Sequence, residues 1–421
     1  RVLLLTQFYP PIIGGEERHV RNLGAALAAR GHKVSVATQA IPGSLESKVD
    51  GAVRVHRLTG SMQRLGWLHA DSERRHAPPF PDLELALNLK RVIDAEKPDI
   101  VHAHNWIYAS YVPFKRPNSP RLVVTLHDYS LVCPNKNFMH QGTDLCEGAS
   151  FLKCLPCANA HYGPMKASLT VCGAFCNNWF AKRSVDCFIP VSHAVARHSR
   201  LSEGNVRFEV IPNFVPEDVS VLGPEDAHRN QLPREPFILF VGDMMRLKGI
   251  EVLLAAYQRL RDAPPLVLIG RRVPETPAEF GHNVFAYESW PHSAIMHAWK
   301  HCLFGVLPST GPEACATVVI EAMASGKAVV ASDIGGMPDL IDNHETGVLA
   351  PAGDAEALAV AMQSLIDDAE TRQRMETLSL VRVRRLMANA VVSRIEQVYR
   401  DVLERVPAEA VQQASAGPLC Q

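Results

Sequence analysis

The order of residues predicts an α/β protein built as two doubly wound domains, each a parallel sheet covered by helices, facing one another across a cleft. Three observations carry this expectation. Short, almost wholly apolar runs alternate with amphipathic stretches, the pattern of parallel strands buried on both faces. The alternation breaks once, at the Pro-rich polar stretch PNFVPEDVSVLGPEDAHRNQ (212–231), and then restarts. A chain of 421 residues also exceeds what one core of ordinary size accommodates.

The first strand is VLLLTQ, followed by a glycine turn, a helix and the strand KVSVAT. Along that helix Val20, Leu23, Ala26 and Leu27 recur at helical spacing, and Gly31 ends it. VRVHRL, DIVHAH, RLVVTLH and DCFIPVS read as further strands, with DLELALNLKRVIDAEK as a helix among them. After the break come FILFVG, a helix over 249–260, LVLIG, LFGVLP, a helix carrying VVIEAM, then KAVVAS and GVLA. ANAVVSRIEQVYRDVLERV closes the series as an amphipathic helix. The expected divisions are an N-terminal domain over 1–214 with a Cys-rich insertion at 131–176, a linker over 215–235, and a C-terminal domain over 236–388. A terminal helix over 389–408 is expected to cross back to the N-terminal domain, leaving a frayed tail over 409–421.

Composition narrows the function classes. With 47% apolar and 21% charged residues and a net charge of −1, the chain is an ordinary globular protein and a poor nucleic-acid binder. No apolar run reaches the ~18 residues of a membrane span, and Arg1 leads into a strand without a signal pattern, so a cytoplasmic location is expected. Charge is uneven: residues 1–216 carry 25 Lys and Arg against 17 Asp and Glu, and the remainder 18 against 27. The basic half permits an anionic partner or peripheral contact with a lipid headgroup surface, with Trp67 among Arg64, Arg74 and Arg75 as a candidate. Drift among solvated faces explains the same numbers.

In open α/β sheets ligands bind beyond the carboxyl ends of the strands, so the loops after strands are the place to look. After the first strand, Gly14 and Gly15 open a helix and leave bare N–H groups suited to a phosphate. After FILFVG, Arg246 and Lys248 precede a helix, where cations are disfavoured unless an anion lies between them. After LFGVLP comes GPEACATVVIEAMASG, with Thr317 as the expected N-cap and Gly326 as the stop. The N–H groups around Thr317 and Val318 would face the cleft. Glu321 sits among Val318, Val319, Ile320 and Met323, which leaves no solvated face for a charge; a carboxylate there suits the vicinal hydroxyls of a ligand. His104 and His127 also fall at strand ends.

These pieces, in this order, resemble the GT-B glycosyltransferases of family GT4, retaining sugar transferases with an E-x7-E motif. The resemblance runs through PPIIGGEERHV, DIVHAHNW, VVTLHDY, FIPVSHAV, VIPNF, FVGDMMRLKG, the Glu313–Glu321 pair, VVASDIGGMPDLI and TGVLAPAGD. It implies two Rossmann-like domains and transfer of a sugar from a UDP- or GDP-sugar to an acceptor that is a glycan, a lipid-linked molecule or a small molecule. It further implies that Glu321 holds the ribose hydroxyls and that Glu313 contacts the donor sugar near the reacting centre. Lys248, with Arg246, would neutralise the diphosphate together with the helix start at Ala316, Thr317 and Val318. Gly14 and Gly15 would approach the donor from the opposite domain, and His127 would line the sugar site. No metal or other cofactor is required by this chemistry. The sequence departs from the family in having Asp243 after Gly242 where Arg is usual, Ala-Cys-Ala after Glu313, and GRRVPE where a Gly-rich turn is usual. Other sugar-nucleotide or sugar-phosphate chemistry on the same fold (phosphorylase, hydrolase or epimerase) and a catalytically inactive scaffold are the alternatives. A dinucleotide enzyme is disfavoured because no G-x-G-x-x-G follows a strand.

One feature lies outside the motifs. Cys133, Cys146, Cys154 and Cys157 are spaced C-x12-C-x7-C-x2-C, with Cys172 and Cys176 beyond them. One C-x2-C plus two more thiols completes a tetrahedral zinc site. An iron–sulfur cluster, disulfides and buried free thiols are the competing readings. Cys187 and Cys302 lie in strand-like runs and read as plain buried thiols.

Overall fold

The computed structural model describes residues 1–12, 14–41, 48–64, 75–222 and 227–404. Trp67 and Arg74, and the tail over 409–421, lie outside the described residues.

The N-terminal domain runs β1 (Val2–Thr6), α1 (Gly15–Ala29), β2 (Val34–Gln39), β3 (Lys48–Asp50), β4 (Val53–Leu58), α2 (Leu83–Glu96), β5 (Ile100–His104) and β6 (Arg121–Leu126). A small hairpin, β7 (Met139–His140) with β8 (Asp144–Leu145), and two helices, α3 (Phe151–Tyr162) and α4 (Pro164–Ser184), are inserted before β9 (Cys187–Pro190) and α5 (His193–His198). The sheet order is β3-β4-β2-β1-β5-β6-β9, parallel except for β3. Every residue of β1, β2, β5 and β9 is buried, as a sheet covered on both faces requires.

The C-terminal domain runs β10 (Ile238–Val241), α6 (Ile250–Tyr257), β11 (Leu266–Ile269), β12 (Val284–Tyr287), α7 (His292–His301), β13 (Phe304–Leu307), α8 (Thr317–Ala324), β14 (Val329–Ser332), α9 (Met337–Leu340), β15 (Gly347–Ala350), α10 (Ala355–Asp367) and α11 (Ala369–Arg382). Its sheet is all parallel in the order β12-β11-β10-β13-β14-β15.

The last helix, α12 (Ala388–Leu403), leaves the C-terminal domain and packs on the N-terminal one. Val391, Val392, Ile395, Val398, Tyr399 and Val402 form its buried face, at 3–4-residue spacing, and join Val2, Leu4, Val20, Leu23 and Leu27 in one core. Arg30, the C-cap of α1, pairs with Glu396 at 3.0 Å, and the Tyr399 hydroxyl meets His102 Nδ1 at 2.6 Å. The chain therefore crosses between domains twice, and the crossings run side by side: Val215 N–H donates to Leu386 C=O, and Ala388 N–H to Val215 C=O.

Each sheet reverses its winding once, between β1 and β5 in the first and between β10 and β13 in the second. The crevice beyond such a switch point is where open α/β sheets hold ligands. The two crevices face each other, and contacts cross between them: His193 N–H donates to Asp339 at 2.6 Å, and Arg18 reaches Glu321.

Candidate active site

The C-terminal wall is set by the loops after β10 and β13. Gly249 has φ 75°, and a Cβ there would lie 1.8 Å from the carbonyl oxygen of Pro308, so only glycine lets these loops touch. Thr310 and Gly311 N–H both donate to Leu247 C=O, which ties the loops together. The result brings Lys248 Nζ into direct contact with Glu313 Oε1, which also accepts from Ser309 Oγ at 3.2 Å. Burial alone would depress the Lys248 ammonium, but the adjacent Glu313 carboxylate outweighs it and holds its pKa above the ordinary lysine value. A third loop supports Glu313 from behind. Gly335 sits at φ 63°, its Cβ position 2.2 Å from Glu313 C=O, and Gly336 N–H donates to that carbonyl at 2.7 Å.

The helix α8 begins between these groups and a second pocket. Its N-cap is Ala316, without a side-chain cap, so Thr317 is the first helical residue and not the cap the sequence suggested. No side chain caps the first turn, and Val319 N–H turns back to Ala316 C=O at 3.0 Å, which leaves the N–H groups of Thr317 and Val318 for an anion. Glu321 is 4% exposed. His292, at the start of α7, meets its Oε1 at 2.8 Å, and Arg18 of the opposite domain approaches the same oxygen at 3.4 Å. Thr317 and Glu321 line a cavity of about 300 Å³ with Gly15, Arg18, Phe214, Val219, Leu222 and Met296. One side is apolar and the other carries Glu321, a combination suited to a base and its ribose.

A neighbouring cavity of about 260 Å³ joins Lys248, Glu313 and Cys315 to His127, Asp128, Tyr129, Lys136 and Asn137 of the N-terminal domain. Behind His127 stands a stack of buried imidazoles. His104 Nδ1 and His127 Nε2 are 2.9 Å apart, and His102 Nε2 meets Thr125 Oγ1 at 2.7 Å. Burial lowers all of them: His127 to about 4 and His102 to about 3, with His104 and His19 also well below the usual range. They are neutral at pH 7. The ligand nitrogens of His19, His104 and His127 lie within 4.8 Å of one another, the one such group among the described residues. Glu16, on the first turn of α1, accepts from Asn105 Nδ2, and burial, with Glu17 and Asp128 adding repulsion, pushes its carboxyl up to about 8.

The family described as Glycosyltransferase Family 4 matches residues 13–219, and Glycosyl transferases group 1 matches residues 224–378. The chain belongs to glycosyltransferase family 4. It is 27% identical over 406 residues to a glycogen synthase of Mycobacterium tuberculosis, covering 89% of this chain and 88% of that protein. It is 26% identical over 419 residues to a phosphatidyl-myo-inositol mannosyltransferase of Mycobacterium leprae, covering 96% and 97%. Among solved structures, the sucrose-phosphate synthase of Thermosynechococcus elongatus superposes with a TM-score of 0.70 at 21% identity, covering 96% of this chain and 99% of that one. HepE of Anabaena, in complex with UDP-glucose, gives 0.63 at 18% identity, covering 95% and 99%. The two α/β domains are thus the GT-B fold.

Of the residues read from the sequence of this glycosyltransferase, Gly15, Thr317 and Glu321 line the first cavity, and His127, Lys248 and Glu313 the second. Gly14 is the N-cap of α1, and Ala316 is buried at the start of α8. Val318 packs against the core of its own domain. Arg246 is the departure. It is exposed and lines neither cavity, because Arg246 N–H is held by Glu275 at 3.0 Å in a turn that aims its side chain elsewhere. Asp243, where the family usually has Arg, is taken up by Arg271 of the GRRVPE turn, at 2.6 and 3.0 Å. Arg18, His292 and Ser309 were not read from the sequence. Arg18 had a signal: it lies one turn after Gly15 on the face of α1 opposite Val20, Leu23 and Leu27. His292 had none, since its partner is 29 residues away.

The four cysteines converge on one place outside the cleft. Cys133, Cys146, Cys154 and Cys157 line a cavity of about 20 Å³ between the β7–β8 hairpin and α3. All are free thiols.

Proposed function

We propose that this glycosyltransferase moves a sugar, with retention, from a UDP- or GDP-sugar to a glycan or lipid-linked acceptor. The observation that carries the reading is the Lys248–Glu313 pair in the cleft beside the open first turn of α8, with Glu321 buried one turn on. Breaking the bond between the anomeric carbon and the diphosphate leaves negative charge on phosphate oxygens and positive charge on the sugar. Lys248 and the α8 N–H groups stand ready for the first, preorganised and partly shielded from water. Glu313 and the uncharged His127 face the second. Because burial keeps the histidine stack neutral, these imidazoles add no positive charge beside the developing sugar charge.

Glu321 would hold the ribose hydroxyls, oriented by His292. The acceptor oxygen would attack on the face the diphosphate leaves, its proton passing to the departing phosphate oxygen. This needs no protein nucleophile and no divalent cation, so Glu313 and Glu321 are not a hydrolase carboxylate pair. HepE, solved with UDP-glucose, and a starch synthase of Arabidopsis thaliana, solved with ADP and acarbose, support a nucleoside-diphosphate donor.

The test is the slow hydrolysis of an α-linked donor without acceptor, followed by NMR. Initial release of the α anomer supports retention. Initial release of the β anomer overturns it.

A further inference from the structure

We infer that Cys133, Cys146, Cys154 and Cys157 hold a structural zinc ion. The four side chains come from a tight turn, a hairpin end and one helix face, yet they line a single cavity of about 20 Å³, room for one small ion. Cys157 Sγ accepts from Gln141 N–H at 3.3 Å and Asn135 Nδ2 at 3.4 Å, so its sulfur is already held at the cavity wall. Four thiolates on Zn²⁺ release four protons and leave a net charge of −2, and Lys153 stands in the cavity wall to offset it. Among the described residues only the histidine trio has its ligand atoms within 4.8 Å, so the four sulfurs must draw together around the ion in the cavity they line. The histidine trio is the poorer site, because a cation there would oppose positive charge developing on the sugar. A metal at the cysteines would brace the turn that carries Lys136 and Asn137 into the cleft.

Metal analysis of the purified full chain should find one zinc per chain, and Cys154→Ser should remove most of it. Stripping with a chelator should lower the melting temperature and leave nucleoside-diphosphate binding in place, because Glu321 lies in the other domain. In the folded protein, exposed Cys172 and Cys176 should alkylate at once and the four ligands only after stripping. Absence of metal, with all six thiols reacting alike or joined as disulfides, overturns the proposal. So does an iron–sulfur chromophore.

A separate observation carries a second inference: the outer face of α3 and α4 docks on an anionic lipid surface. Along α4, Met165, Leu169, Cys172, Cys176, Trp179 and Phe180 are all exposed and fall on one face, Met165 at 66% and Trp179 at 53%. Phe151 and Leu152 of α3 extend the patch, Leu152 at 84%. Residues 151–184 contain Lys153, Lys166, Lys182 and Arg183 and no Asp or Glu, and Arg183 stacks on Trp179 at 3.8 Å. Within these two helices the charges are all cationic, Glu147 reaching Lys153 from the preceding loop at 3.9 Å, and an apolar face with such a rim complements an anionic headgroup layer. A second copy of the chain would set like charges against each other. No described helix is long and apolar enough to cross a membrane, so the contact is with the surface. The full chain should float with phosphatidylcholine–phosphatidylglycerol vesicles in a salt-sensitive way, and not with phosphatidylcholine alone. Replacing Trp179 and Phe180 by Ser should weaken binding at least about tenfold. Failure to float, or self-association that hides Trp179, overturns it.

Discussion

Replacing Glu313 by Gln separates two roles that rest on one carboxylate. Without donor, Glu313 neutralises Lys248, so a diphosphate must compete with it for the ammonium. Two unit charges ~4 Å apart attract by about 4 kcal/mol at an effective dielectric of ~20. The Lys248 side chain is 36% exposed and that of Glu313 19%, so water and salt remove most of this and leave about 1 kcal/mol. Glu313→Gln should therefore tighten nucleoside-diphosphate binding about fivefold. Transfer should move the other way, falling about 10²–10³-fold, because the sugar loses the carboxylate facing its developing charge. Calorimetry with the preferred nucleoside diphosphate measures the first effect and initial rates with the matching donor the second. Unchanged or weaker binding by the variant would refute the idea that Glu313 is the counter-ion a donor displaces.

His292→Ala should weaken nucleoside-diphosphate binding about tenfold through loss of a charge-assisted hydrogen bond to Glu321, and a 2′-deoxy nucleotide should show a smaller loss than the ribonucleotide. Gly335→Ala forces a left-handed residue and a 2.2 Å approach to Glu313; it should cost about 1–3 kcal/mol of stability and slow transfer, with nucleotide affinity held by Glu321 little changed. Stability should peak near pH 6.5. His102, at about 3, and His127, at about 4, exclude protons that the unfolded chain accepts below the usual ~6.5, so the stability they contribute is complete above that pH and is lost as pH falls, about 2 kcal/mol each by pH 5. Glu16, pushed up to about 8, acts oppositely: its contribution is complete below the ordinary carboxyl pKa and is lost as pH rises toward 8. Melting curves across pH check both limbs, and Glu16→Gln should flatten the alkaline one.

The periodicity of the sequence was enough for the fold, because parallel strands buried on both faces must be apolar throughout and the helices between them must be amphipathic. Glu321 was legible for the same reason: a charge amid Val318, Val319, Ile320 and Met323 calls for a partner. What sequence could not supply was pairing at a distance. The direct Lys248–Glu313 contact depends on Gly249 closing against Pro308, and the support under Glu313 on Gly335 and Gly336, 22 and 23 residues beyond it. Spacing alone does not tell which of Arg246 and Lys248, two residues apart, lines the cleft; Asp243 meanwhile pairs with Arg271, inside the stretch that departs from the family. The stack of His19, His102, His104 and His127 needed the β1–β5–β6 register before its members became neighbours.

Glu321 defines the nucleotide site, and a thermal-shift panel of UDP, GDP, ADP and NAD⁺ on wild type and Glu321→Ala tests it directly. A nucleoside diphosphate at 100 times its dissociation constant should add about 2.7 kcal/mol of stability. One member of the panel, UDP or GDP, should stabilise the wild type and lose that effect in Glu321→Ala. Stabilisation by NAD⁺ alone, or equal stabilisation of both proteins, would contradict the assignment of the cleft to a sugar nucleotide held through Glu321.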